Sequence, residues 1–99
     1  MQNRKPKAGL TRTFVARPNP FRDETLIRFA MPADGPAKVR VYNVAGRLVK
    51  ELPECQCSSG PNERVWDGTD GDGNRVASGV YFVRVDAGGE KAWGKMALI

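Results

Sequence analysis

Apolar and polar residues alternate with a period of two through several short runs of this chain. No stretch of about ten residues carries the 3.6-residue period of a capped helix. Thr25 to Met31 places Ile27, Phe29 and Met31 on one face, with Arg28 and Ala30 on the other. Ala37 to Tyr42 does the same, Val39 and Val41 inward against Lys38 and Arg40 outward. Lys91 to Ile99 gathers Ala92, Gly94, Met96 and Leu98 on one face and leaves Trp93 and Lys95 on the opposite one. Val80 to Val85 is a further strand, Glu63 to Trp66 a short one, and Leu10 to Arg17 a candidate first strand. Arg47 to Leu52 reads as a return strand whose inward face is not legible, because Leu48 and Val49 are adjacent and both apolar.

Between these runs stand residues that break ladders or bend the chain. Two prolines flank Asn19, and neither can donate to a sheet, so Arg17 to Phe21 is an edge or a turn that swings the chain between sheets. Pro32 to Pro36 is a turn, and Asn43-Val44-Ala45-Gly46 is a hairpin turn with Gly46 at the position of positive φ. Pro53 to Asn62 reads as a loop, and Ala87-Gly88-Gly89-Glu90 as a tight hairpin. Asp67 to Asn74 is rich in Asp, Gly and Asn, types that tolerate positive φ and bond their own backbone; it reads as a compact loop.

About seven short strands at roughly 8–12-residue spacing, with turn chemistry between them, predict an all-β sandwich; an open barrel is the alternative. One detail favours the sandwich. Gly79-Val80-Tyr81-Phe82-Val83 sets a tyrosine near the start of a strand and two residues before a core position. In immunoglobulin-like and fibronectin-III-like sandwiches such a tyrosine bonds back to the preceding corner. Tyr81 is expected to do so, with Val83 in the core and Trp66 packed beneath. Residues 1 to 13 read as a disordered tail or linker, and residues 14 to 99 as one domain.

The 99 residues carry a net charge of +5. Most basic residues alternate with apolar ones along strands, as in Arg28, Lys38, Arg40 and Arg84. That is a solvated sheet face rather than a nucleic-acid footprint, and no specific nucleic acid is expected. No apolar run approaches the ~20 residues of a membrane span, and the N-terminus lacks the apolar core of a secretory signal. Export, if it occurs, would depend on a longer precursor. Histidine is absent, which removes Ser-His and Cys-His dyads; no catalytic residue, metal site or cofactor is expected. Asp70, Asp72 and Asn74 offer the first three oxygens of a calcium loop. Arg75 stands where that loop needs Gly and Tyr81 where it needs Glu, so an Asx-rich turn is preferred. Cys55 and Cys57, one residue apart, read first as loop thiols with no fixed role, then as a strained disulfide.

Several blocks occur in order: Asn19-Pro20-Phe21, Thr25 to Phe29, Val41 to Val49, Trp66-Asp67-Gly68-Thr69-Asp70, Gly79 to Phe82, and Lys95 to Leu98. This series resembles the C-terminal Ig-like domain related to the flagellar hook-capping protein, and equally the C-terminal sorting domain of type IX (Por) secretion. The resemblance covers about residues 14 to 99. It implies a non-catalytic module that exports and anchors a secreted or cell-surface bacterial protein, joined to upstream domains of a longer chain and recognised by the type IX machinery. A structural module of a hook-cap-like or multidomain extracellular protein is the alternative. A carbohydrate- or nucleic-acid-binding sandwich, suggested by charge and by Trp93, is a third. Carried over by position, Asn19 and Pro20 open the module and Gly46 turns its central hairpin. Trp66, Asp67 and Gly68 end a core strand, Gly79 and Tyr81 start the next, and Lys95, Met96 and Leu98 form the candidate sorting strand.

Overall fold

A computed structural model describes residues 15–99. The expected tail and the start of the Leu10 to Arg17 segment lie outside the described residues. Eight strands follow in order: β1 (Val15–Arg17), β2 (Thr25–Met31), β3 (Gly35–Asn43), β4 (Leu48–Glu51), β5 (Cys55–Cys57), β6 (Gly60–Trp66), β7 (Gly79–Ala87) and β8 (Glu90–Leu98). They form a three-stranded sheet, β1-β2-β6, and a larger sheet, β4-β3-β7-β8, with β5 also paired to β3. Every strand pair is antiparallel. The architecture is an all-β, immunoglobulin-like sandwich.

Strand alternation builds the core directly. β2 buries Thr25, Ile27, Phe29 and Met31; β3 buries Ala37, Val39 and Val41. β7 adds Tyr81, Val83, Val85 and Ala87, and β8 adds Ala92, Met96 and Leu98. These inner faces meet as one apolar cluster, each large side chain contributing about 1.5–3 kcal/mol on leaving water. Trp66 and Phe21 are the largest fully buried side chains. Thr25, the buried polar residue of the cluster's edge, donates its hydroxyl to the Pro18 carbonyl at 2.8 Å.

The double-proline segment carries the chain from one sheet to the other. β1 pairs with β2, the Arg17–Pro18 and Asn19–Pro20 peptides are cis, and Phe21 then bridges Leu98 of the other sheet in parallel. The Ala87–Glu90 hairpin turns through Gly88 and Gly89 at φ 58° and 81°, the left-handed pair that a two-residue loop requires.

Three expectations change. Among the described residues there are eight strands rather than about seven, because β5 forms inside the segment read as a loop. Cys55 and Cys57 are not free thiols: they are joined by a disulfide. As alternate residues of one strand they share a face, and their Cα atoms lie 5.5 Å apart, within disulfide reach. Finally, the return strand is split by a register shift between Val41 and Tyr42, so that Tyr42 opposes Leu48 and Val41 opposes Lys50. Val49 is the extra residue of this bulge. It turns in toward the core, while Leu48 is left 50% exposed.

Candidate binding surface

The outer face of the larger sheet is set by the residues that alternate with its core. β3 presents Lys38, Arg40 and Tyr42, β7 presents Phe82, Arg84 and Asp86, and β8 presents Lys91, Trp93 and Lys95. Register arranges them in rows: Tyr42–Phe82–Lys95, Arg40–Arg84–Trp93 and Lys38–Asp86–Lys91. Leu48 extends the first row through its pairing with Tyr42.

An aromatic cluster spans the first two rows. The Tyr42 and Trp93 rings lie 5.7 Å apart, tilted by 44°. With Val44, Phe82 and Arg84 they line a shallow groove of about 520 Å³. Trp93 is 52% exposed and Val44 74%. These grouped exposed side chains make the groove the candidate interaction surface of the domain.

The lower rows hold a charge ladder. Arg40 and Arg84 stand directly opposite each other, a repulsive arrangement that Asp86 resolves by pairing with both, at 3.3 and 3.0 Å. Glu51 adds longer contacts to Arg40 and Lys38, at 3.6 and 3.7 Å. The Arg84 guanidinium also lies 5.7 Å from the Trp93 ring centroid, a cation–π contact. The hydrogen bonds to Asp86 push the Arg84 pKa further above its ordinary value, so its charge is permanent.

β8 is the edge of this sheet, and half of its outer side is already taken. Ala97 N–H donates to Asn19 Oδ1 at 2.9 Å, and Phe21 N–H donates to the Ala97 carbonyl at 2.9 Å. Ile99 N–H donates to the Phe21 carbonyl at 2.9 Å, and Asn19 Nδ2 reaches the Lys95 carbonyl at 3.3 Å. From Lys91 to Lys95 no described strand pairs with that outer side.

The family-motif residues divide between two places. Trp66 lies edge-on between Phe21 and Tyr81, with ring centroids at 5.5 and 5.3 Å. Tyr81 donates its hydroxyl to the Ala77 carbonyl at 2.6 Å, closing the corner before β7. Asp67 accepts from the Thr69 hydroxyl and amide, and the hydroxyl bond holds its carboxyl below the usual range. Gly68 sits at φ 75°, where an L side chain is strained, and beside it Arg75 Nη1 donates to the Asp67 carbonyl. Gly79 begins β7, and Gly46 turns the hairpin at φ 79°. Asn19 joins Lys95 through the contact above, with Pro20 exposed beside it. Lys95 is exposed, whereas Met96 and Leu98 are core. A partner reading β8 therefore meets Trp93 and Lys95, not Met96 or Leu98.

The Asp-rich loop is organised as a turn. Asp70 Oδ1 accepts from the amides of Asp72 and Asn74, at 2.9 and 3.0 Å. Trp66 Nε1 donates to the Thr69 carbonyl at 2.9 Å, and Lys50 Nζ donates to the Asp70 carbonyl at 3.2 Å. Sequence reasoning singled out Trp93 and Lys95 but passed over Tyr42, Leu48 and Phe82. The parity of Lys38 and Arg40 already placed Tyr42 outward; only cross-strand register puts it beside Trp93.

Two sheets packed face to face, a proline segment after β1 that crosses from one sheet to the other, and a corner tyrosine define a structural immunoglobulin-like module. The family model described as the FlgD Ig-like domain matches residues 19–91, and the chain belongs to that family. Among solved structures, it is similar to PorZ, described as an essential bacterial surface component of the type-IX secretion system of Porphyromonas gingivalis. That likeness has 29% identity and a TM-score of 0.60, over 87% of this chain and 11% of PorZ. It is also similar to FlgD from Xanthomonas campestris, described in connection with hook capping in flagellar assembly, at 28% identity and a TM-score of 0.62. Here 90% of this chain and 64% of that one are covered. The chain thus spans less than two thirds of either structure. No curated protein matches it.

Proposed function

We propose that this domain is a non-catalytic sorting and surface-anchoring module of a secreted bacterial protein, exported within a larger precursor and recognised by type IX-like machinery. The observation that carries the proposal is the likeness to PorZ over 87% of the chain, by sequence as well as by fold. The exposed side of β8 supports it, since Trp93 and Lys95 face outward from a strand whose other face is locked in the core. A chain without histidine also lacks the commonest general base, which fits a recognition role better than a catalytic one.

The test fuses the 99-residue chain behind a periplasmic reporter in a host with a type IX system. The reporter is expected at the cell surface or in the medium. Lys95→Ala, at an exposed position that costs no more than about 0.5 kcal/mol of stability, is expected to weaken export while leaving the fold intact. A reporter that stays periplasmic beside a folded domain rejects the sorting role. It would favour the second reading, a structural module of a hook-cap-like protein, which the comparable likeness to FlgD supports.

A further inference from the structure

Among the described residues no strand pairs with the outer edge of β8 from Lys91 to Lys95, and the same residues present a distinctive row of side chains. Ala97 sends both its N–H and its carbonyl away from β7, to Asn19 and Phe21. By strand alternation the backbone groups of Lys91, Trp93 and Lys95 point the same way. Asn19 takes the Lys95 carbonyl, which leaves the groups of Lys91 and Trp93 and the Lys95 amide without a described partner strand. The side chains of these three residues stand on the outer face, in the order cation, aromatic, cation. Neither lysine has a carboxylate within ion-pair distance among the described residues. The carboxylates nearest in register are engaged elsewhere: Asp86 holds Arg40 and Arg84, and Glu51 faces Arg40 and Lys38.

We infer that the Lys91–Lys95 edge of β8 takes an added strand from an acidic extended segment of another protein. That segment carries a carboxylate, an apolar residue and a second carboxylate at alternate positions. Backbone pairing along the open edge supplies binding, and alternate side chains supply the choice of partner. Directly opposed residues share a face, so a carboxylate would meet each lysine and the apolar residue would pack on Trp93, at the rim of the Tyr42–Phe82 groove.

Charge selects this occupant over two others. A second copy pairing antiparallel through its own β8 would set Lys91 against Lys95 and Lys95 against Lys91, like charge on like. That is the means by which edge lysines prevent self-association. The chain's own residues 1–14 contain Arg4, Lys5, Lys7 and Arg12 and no acidic residue, so they too would add positive charge to positive. A purely protective edge would not need the exposed aromatic and aliphatic patch that adjoins it.

This deepens the proposed role and rests on β8 being the recognised element. The two are tested apart, because peptide binding needs no secretion system. The probe is a synthetic peptide of about seven residues with the pattern Thr-Glu-Thr-Val-Thr-Glu-Thr, titrated into the isotope-labelled chain. Expected are amide shifts centred on Lys91, Trp93 and Lys95, and an affinity that falls with salt. Replacing both glutamates of the peptide by lysine, or N-methylating the amide of its valine, is expected to weaken binding roughly tenfold or more, about 1.4 kcal/mol or greater. The double variant Lys91→Glu/Lys95→Glu is expected to reverse the preference, binding the lysine peptide over the glutamate one, with a melting temperature showing it folded. Equal binding of both peptides, shifts confined to Val44 and Leu48, absence of binding up to the solubility limit, or dimerisation of the chain through β8 would each overturn the inference.

Discussion

Trp66 and Tyr81 meet edge to face, with ring centroids 5.3 Å apart and planes at 65°, across the two ends of the Asp- and Gly-rich loop. One ends β6 in the smaller sheet; the other opens β7 in the larger. The contact therefore joins the two layers where the chain crosses between them. Each ring has a polar anchor in the same segment: Trp66 Nε1 on the Thr69 carbonyl, and the Tyr81 hydroxyl on the Ala77 carbonyl. The loop is thus fastened to the core at both ends.

Trp66→Ala should be among the most damaging single changes. The indole is fully buried and contacts both Phe21 and Tyr81. Removing such a side chain costs about 3–5 kcal/mol, out of a total on the order of 5–10 kcal/mol for a domain of this size. Chemical denaturation should show the loss as a large fall in midpoint.

Tyr81→Phe keeps the ring and removes the donor to Ala77. Ala77 is exposed and its carbonyl can take water instead, so the loss is expected to be that of an ordinary hydrogen bond, about 0.5–1.5 kcal/mol. An unchanged denaturation midpoint would show that the corner bond contributes nothing.

Asn19→Ala tests the strap across the β8 edge. The carboxamide bonds both the Ala97 amide and the Lys95 carbonyl. Its loss is expected to cost about 0.5–1.5 kcal/mol. The local signature is faster hydrogen exchange at Ala97 and Ile99, with protection in β3 and β7 retained.

Asp67 gives the acid limb of the stability profile a defined sign. Its folded pKa lies below the ordinary carboxylate value, chiefly through the Thr69 hydroxyl. A carboxyl depressed on folding stabilises the native state above its unfolded pKa, and that contribution is lost as pH falls through the folded value. Thr69→Ala should therefore be less stable than the parent at neutral pH and should converge on it as the pH falls. It should also show a smaller difference between neutral pH and pH near 3, measured by thermal melts across that window. A Thr69→Ala profile parallel to the parent's would dismiss the coupling.

The sequence was sufficient for the parts of the fold that depend on local rules. Ile27, Phe29 and Met31, or Val39 and Val41, alternate because a strand with one buried face has no other way to divide its residues. Gly46, Gly88 and Gly89 stand where turns require positive φ, and the prolines around Asn19 rule out a central strand there. The tyrosine corner was legible for the same reason: its donor and acceptor lie within one short segment.

What depended on register was not legible. Leu48 and Val49 differ little in hydrophobicity, and only the bulge opposite Val41 and Tyr42 sends one out and the other in. The Cys55–Cys57 bridge needed β5, a three-residue strand too short to carry a pattern, which exists because the first part of β3 offers it a ladder. Tyr42 and Trp93 are far apart in the chain and become neighbours only because β7 lies between their strands in one particular alignment. Alternation decides which face a side chain joins, whereas its neighbours on that face are decided by how separate strands slide against one another. That choice is made by the packing of the whole sandwich, and no local stretch of sequence contains it.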